Sequence, residues 1–398
     1  MNIIYTLLYI YLLLKPYYFF KSGGIQISDI FLILSFSLFL LINKKNNELF
    51  KFKLDTLKEN RLFLLFVFLA LCINFINFIN LPDSRFILAT LYLIFNLLSI
   101  YVFSFCLKQD NKFKDNCFNI FYFNLIIQII LYIFKLGRYW DASRYMGTFN
   151  DPNQFGFYIF LSYSFLYFLN TNNNGTKAFK MLIALVLSFF LIVKSSSTGM
   201  LLGFMIFILF LLLDNIMKPI TFIRKNKNKI IIFLAFVLPL VLIIHLALPN
   251  FFNNTINKII NSNIVNRATE KIAKTERVSS NSEGINIFED RALDYIILYP
   301  QYILIGSGEG GADRFSLVSH VTEIHSTFPA LLFYYGIIPF SFLLTWIIKK
   351  IKFLDKKSLI IVFALIAESF TLANQRQVLF WLIFVLANII SERGRKNE

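Results

Sequence analysis

Arg144, Arg291 and His325 are the side chains in this sequence best suited to chemistry on an anion. Each arginine offers a planar fork that grips a phosphate or carboxylate through two parallel hydrogen bonds. A histidine changes protonation state near neutral pH and can move a proton. Arg144 stands just ahead of Asn150-Asp151-Pro152-Asn153. Asp151 followed by Pro152 predicts a helix start, with the carboxylate capping free amides and the proline in the first turn. Arg291 lies in the stretch Asn286 to Pro300, which reads as one amphipathic helix with Asn286 and Glu289 at capping-box spacing and Pro300 as its stop. The glycine-rich run Ile305 to Gly311 follows, and its amides, at Gly306 and Gly308 above all, could cradle an anion. It lacks the lysine and spacing of a nucleotide-binding loop. His325 sits between Glu323 and Ser326, where Ser326 or Thr327 can cap a new helix that carries Pro329 in its first turn. The candidate set is therefore His325, Arg291 and Arg144 for catalysis, with Asn150, Asp151, Asn153, Gly306, Gly308, Glu323 and Ser326 for substrate binding.

The rest of the chain has to hold these residues at an interface. Hydrophobic residues make up 57% of the sequence, charged residues 16%, and the mean hydropathy is +0.64. Apolar runs of bilayer-crossing length predict an all-α, polytopic membrane protein with about twelve spans, at about 3–20, 28–42, 61–79, 86–107, 117–136, 154–169, 178–194, 199–216, 229–248, 326–348, 358–373 and 377–391. The runs are too long and too uniformly apolar for barrel strands. Three regions follow: 1–248 with spans one to nine, the long loop 249–325 with amphipathic helices, and 326–398 with the last three spans and a tail.

Lysine and arginine set the orientation. Alternate connections carry Lys44, Lys45, Lys51, Lys53 and Lys58, then Lys108, Lys112 and Lys114, then Arg224, Lys225, Lys227 and Lys229, then Lys349, Lys350, Lys352, Lys356 and Lys357. These are expected to be cytoplasmic, as are both termini, leaving 249–325 outside. The net charge of +16 is then mostly topology and attraction to anionic headgroups, not a nucleic-acid footprint. The stripe Arg267, Lys271, Lys274 reads as a solvated face. Cys72, Cys106 and Cys117 lie away from the outer loop, so no disulfide framework is expected there. The first apolar run lacks a small-residue cleavage site and is expected to stay as a span. No Asp-x-Asp pair and no histidine or cysteine cluster offers a metal site, His245, His320 and His325 being dispersed. Glu368 is the clearest charge within a span and is expected to face a cavity under the long loop.

Taken in order, three motifs carry a resemblance. They are Arg144-x-x-Gly-Thr-Phe-x-Asp-Pro-Asn-x-Phe-Gly156, Arg291 ahead of Gly306-x-Gly308, and His325-Ser326 opening a span with Tyr335-Gly336-Ile337-Ile338. The combination resembles the O-antigen polymerase and ligase superfamily of bacterial membrane glycosyltransferases, over about 137–345. The resemblance implies metal-independent, cofactor-free transfer of an oligosaccharide from undecaprenyl diphosphate to an acceptor glycan, on the outer face of the cytoplasmic membrane. Arg144 and Arg291 would bind the diphosphate, and His325 would act near the acceptor hydroxyl or the leaving phosphate. Membrane lipid, a chain-length regulator and a flippase would be partners. The Asn-Asp-Pro-Asn-Gln-Phe-Gly form of the turn favours polymerisation of O-antigen or capsule repeats. A ligase-type transfer to a lipid or protein acceptor is the alternative, and a transporter of lipid-linked oligosaccharide or another small molecule is the third reading. Transporters tend to place charges or broken helices at the bilayer midplane, and this sequence offers little of either.

Overall fold

The computed structural model describes all residues except 21–25, 42–53, 142, 171–174, 218–262, 281–286, 316–322 and 398. The expected ninth span, the start of the long loop, the Asn286 cap, His245 and His320 lie outside the described residues. What is described is helical apart from one small hairpin. The long helices are α1 (Asn2–Leu14), α2 (Ile27–Leu41), α3 (Arg61–Asn80), α4 (Ser84–Gln109) and α5 (Asn111–Ile133). The hairpin β1 (Arg138–Trp140) and β2 (Arg144–Gly147) comes next, antiparallel, with Trp140 opposite Arg144. It leads into α6 (Pro152–Leu169), α7 (Gly175–Ser195) and α8 (Thr198–Met217), and later α9 (Asn263–Ser280). The C-terminal part holds α10 (Thr327–Tyr335), α11 (Ile337–Ile351), α12 (Lys356–Ser369) and α13 (Val378–Asn397).

Three of these, α3, α4 and α5, are long and apolar enough to cross a membrane. Among the described residues, shorter apolar helices stand at five other expected positions: Asn2–Leu14, Ile27–Leu41, Thr198–Phe210, Ser358–Ser369 and Val378–Ile389. Helix α6 and the first part of α13 form the centre, buried almost throughout and packed against each other. The rim is apolar too. Phe68, Phe75, Ile76 and Ile79 of α3 and Phe179, Leu182 and Val186 of α7 are exposed. An apolar rim of this extent needs a covering phase, and the length and composition of these helices fit bilayer lipid.

Polar side chains inside the bundle pin the connections to the helices. The Asn96 amide donates to the Gln375 carbonyl at 2.9 Å, and the Asn124 amide donates to the Leu12 carbonyl at 3.0 Å and the Tyr158 hydroxyl at 2.9 Å. Asn74 Oδ1 accepts from the Glu309 amide at 2.9 Å. A buried amide with no partner is costly, so each of these bonds fixes where a loop must lie.

Three elements depart from expectation. The first apolar run stops being helical at Leu14, because Pro16 cannot continue it. The chain then turns back, the Pro16 carbonyl accepting from Thr148 Oγ1 at 2.5 Å. The tenth run is two helices, broken at Gly336 with φ +74, where a Cβ would lie 2.6 Å from the Leu304 carbonyl oxygen. The stretch around Arg291 is also divided, into Ile287–Asp290 and Asp294–Leu298, with Ala292 at φ +52 between them. Propensity favoured a continuous helix, but the break lets Arg291 leave the surface face and turn inward.

Candidate functional site

The turn before α6 forms as its residues dictate. Asp151 accepts from the amides of Asn153 at 2.8 Å and Gln154 at 2.9 Å, and Pro152 opens the helix. Arg144 is 7% exposed, and its guanidinium hydrogen-bonds neutral acceptors. Its Nε donates to the Ser195 carbonyl at 3.2 Å and its Nη2 to Asn153 Oδ1 at 2.9 Å. Asp151 and Asp141 offset its charge only in part. Burial first, and the neighbouring Arg267 second, press its pKa down to about 10. The group stays charged at neutral pH, and the shift reflects chiefly the cost of burying that charge.

Arg291 and His325 hold each other. The His325 amide donates to the Arg291 carbonyl at 3.0 Å, and the Arg291 guanidinium donates to the carbonyls of Thr371 and His325. Its contact with Asp290 is long, 3.8 Å. Burial lowers its pKa most, and Asp290 offsets this only in part. His325 Nδ1 lies 2.7 Å from the Glu323 carbonyl oxygen. A carbonyl can only accept, so Nδ1 carries the hydrogen, and in the neutral ring the lone pair falls on Nε2.

Ser326 occupies the cap position of α10, but its hydroxyl is buried with no partner among the described residues. Thr327 fixes the helix start instead. Its amide and hydroxyl donate to the Leu372 carbonyl at 3.0 and 2.7 Å, and its Oγ1 accepts from the Asn374 amide at 2.7 Å. The connection 370–377 is thereby drawn onto the site.

Two cavities meet at this point, sharing Asn153, His325 and Leu372. One, of about 320 Å³, is walled by Arg267, Lys271, Lys274 and Arg291, with Glu270 and Asp290 as its acids. Lys274 is paired with Asp290 at 2.7 Å and Glu270 at 3.2 Å. Four cations against two acids leave the hollow with two positive charges in excess. The Lys271 ammonium donates to the Thr198 hydroxyl, and its pKa is lowered to about 8, first by burial and then by Arg291 and Arg267. Fixed cations in excess in a part-buried hollow suit an anion.

The other cavity, of about 330 Å³, is walled by Lys15, Gln26, Asp29, Tyr92, Asn374, Gln375 and Arg376. Arg376 bridges Glu309 Oε1 at 2.9 Å and Glu323 Oε1 at 3.3 Å. Burial would lower its pKa, but the two carboxylates outweigh it and hold it above the ordinary arginine range.

Several sequence-level assignments need correction. Gly306 and Gly308 border neither cavity, and the run around them is not an anion cradle. The amides of Ser307 and Gly308 donate to the carbonyls of Phe333 at 3.0 Å and Tyr334 at 2.8 Å, and the Gly311 amide donates to Asp83 at 2.8 Å. The glycines are needed because the loop packs on α10 and Phe86, where side chains would collide. Asn150 is occupied structurally, accepting from Arg138 and donating to the Phe20 carbonyl at 2.7 Å. Glu368 is fully buried, accepts from Asn374 at 2.7 Å and borders neither cavity. The basic stripe of α9 is not a solvated face, since Arg267, Lys271 and Lys274 wall the cationic cavity. Its spacing of about one helical turn was visible in sequence; the facing Arg291 was not. The polar group Asn374-Gln375-Arg376-Gln377 was missed, although four polar residues between apolar runs were the available signal.

The sequence matches no family model, and no curated protein is found similar to it.

Proposed function

We propose that this chain is a membrane glycosyltransferase that lengthens surface polysaccharide, such as O-antigen or capsule, from undecaprenyl-diphosphate-linked repeat units on the outer face of a bacterial cytoplasmic membrane. The observation that carries the reading is the hollow in which Arg267, Lys271, Lys274 and Arg291 outnumber Glu270 and Asp290, adjoining a second cavity through His325. A diphosphate supplies the missing negative charge. In the reaction the acceptor hydroxyl oxygen attacks the anomeric carbon of the donor sugar, and the bond from that carbon to the diphosphate oxygen breaks. The diphosphate leaves with the bonding electrons. Fixed cations aimed at that charge can lower the barrier by several kcal/mol. Nε2 of His325 takes the proton from the attacking hydroxyl. The polyprenyl tail stays in lipid beside the apolar helices.

The test is transfer by the full chain in vesicles supplied with undecaprenyl-diphosphate oligosaccharide. A ladder of longer glycans with release of undecaprenyl diphosphate is expected, unaffected by EDTA. His325→Ala should slow it by about a hundredfold or more, the usual worth of a positioned acid or base, while inorganic pyrophosphate still binds. No transfer by the wild type would sink the reading. Movement of intact donor across the bilayer would make the protein a transporter, and transfer only to an added final carrier would make it a ligase.

A further inference from the structure

The hairpin ahead of α6 faces two ways. Its second strand belongs to the protein. Tyr145 of β2 is buried, and its hydroxyl donates to the Gln128 carbonyl of α5 at 3.2 Å. Arg144, on the same strand, donates to Asn153, which walls both cavities. The first strand is exposed along its whole length, through Arg138, Tyr139 and Trp140. Ahead of it stand Phe134 and Leu136, also exposed, which carry on the apolar surface that Phe123, Ile130 and Ile133 present on α5. Helix α5 is itself long and apolar enough to cross a membrane. The sheet has two strands, so among the described residues the outer edge of β1 is open. Open backbone groups cannot lie in hydrocarbon, and Lys135 and Asp141, both exposed, do not belong there either. Bulky aromatic rings are equally ill placed in bulk water. The headgroup zone of a bilayer meets both demands, since its apolar side takes the rings and its water takes the strand edge and the charges.

We propose that β1 is a membrane-surface anchor, with Tyr139 and Trp140 seated among the lipid headgroups of the leaflet on the side of the cavities and Phe134 and Leu136 against the tops of the acyl chains. Continuity with the apolar face of α5 selects lipid as the partner. Depth agrees with it. The 23 residues of α5 span about 34 Å, slightly more than the roughly 30 Å of hydrocarbon, so the residues just past its end fall at headgroup level. Lys135 and Arg138 against Asp141 leave the patch positive, which suits anionic headgroups. The anchor goes beyond the transfer reading and does not depend on it. Trp140 lies opposite Arg144 in the register, so the strand held by lipid is tied, through Arg144 and Asn153, to the wall of both cavities.

Tryptophan emission measures this directly, because Trp346 and Trp381 are each 1% exposed whereas Trp140 is 47% exposed. The full chain is reconstituted without substrate in vesicles of phosphatidylcholine and phosphatidylglycerol, and the Trp140 emission is taken as wild type minus Trp140→Phe. Phosphatidylcholine brominated near the glycerol end of its acyl chains should remove most of that emission. Bromination near the methyl end should remove much less, and aqueous acrylamide little. Leu136→Trp in the Trp140→Phe background supplies a second reporter, which should follow the same lipid and respond still less to acrylamide. Emission quenched by acrylamide and untouched by either brominated lipid would overturn the anchor and leave the aromatic strand to an aqueous partner such as a glycan. Stronger quenching from the methyl end would overturn it as well, since it would place an open strand edge in hydrocarbon. With no donor or acceptor present, each of these results leaves the transfer reading to its own test.

Discussion

At the residue scale the site is governed by uncompensated positive charge, and Lys271 reports it. Burial, with Arg291 and Arg267 beside it, brings its pKa from 10.5 to about 8. In the unfolded chain the amine keeps its proton up to the ordinary value. Between about 8 and 10.5 the unfolded state therefore binds more protons, and stability rises with pH across that window from this group. Anion binding has the opposite trend, since the site loses a cation as pH climbs through about 8. Calorimetry with inorganic pyrophosphate should show affinity falling from pH 7 to pH 9, with proton uptake on binding near pH 8. Lys271→Met should flatten the profile. An equally steep profile in that variant would move the titration to another group.

At the element scale, breaks in helices aim the chemistry. Ala292 sits at φ +52 beside Arg291, a conformation that costs a non-glycine residue on the order of 1 kcal/mol. Gly336 plays the matching part between α10 and α11. Its φ is +74, and a Cβ would lie 2.6 Å from the Leu304 carbonyl oxygen and 3.0 Å from the Gly306 amide nitrogen. Both atoms are backbone and cannot rotate aside. Gly336→Ala should lower the thermal midpoint in detergent by several degrees, corresponding to about 2 kcal/mol or more. Ala292→Gly should be neutral or stabilising, because it removes the left-handed penalty. A Gly336→Ala protein as stable as the wild type would mean that the break can close into a continuous helix.

At the scale of the whole molecule the polar groups sort to two ends. The cavities draw their walls from connections that the lysine and arginine pattern puts outside, namely those after α1, before α6, between α7 and α8, from α9 to α10 and before α13. At the other end Glu59 accepts from Lys350 at 2.7 Å and Asn388 at 2.5 Å and is paired with Lys108 at 2.5 Å. Burial would raise the Glu59 pKa, and Lys350 and Lys108 overcome it and hold it below the ordinary value. A cysteine placed at Ser280, near the end of α9, should react with an impermeant maleimide in intact cells. Labelling only after permeabilisation would invert the orientation and bury the site on the cytoplasmic side.

Much of this was legible in the sequence because it depends on local chemistry. Apolar runs set the helices, Asp151-Pro152 set the start of α6, and the turn residues marked where chains reverse. Arg291, Asn153 and His325 were legible by type and line one cavity, whereas Arg144 lines neither cavity and touches the site through Asn153. Other features required the packed molecule. The break at Ala292 and the refusal of Gly336 to stay helical come from neighbours far along the chain, which outweigh propensity. The amides of the glycine run are consumed by Phe333, Tyr334 and Asp83, which no local pattern reveals. Arg267 and Lys271 share a cavity with Arg291 only because α9 lies against α8. By itself the sequence determined the helices and the chemical types of the candidate residues, since both follow from interactions within a few residues. Which charges stay unbalanced only the tertiary structure decided, because compensation is a property of neighbours in space.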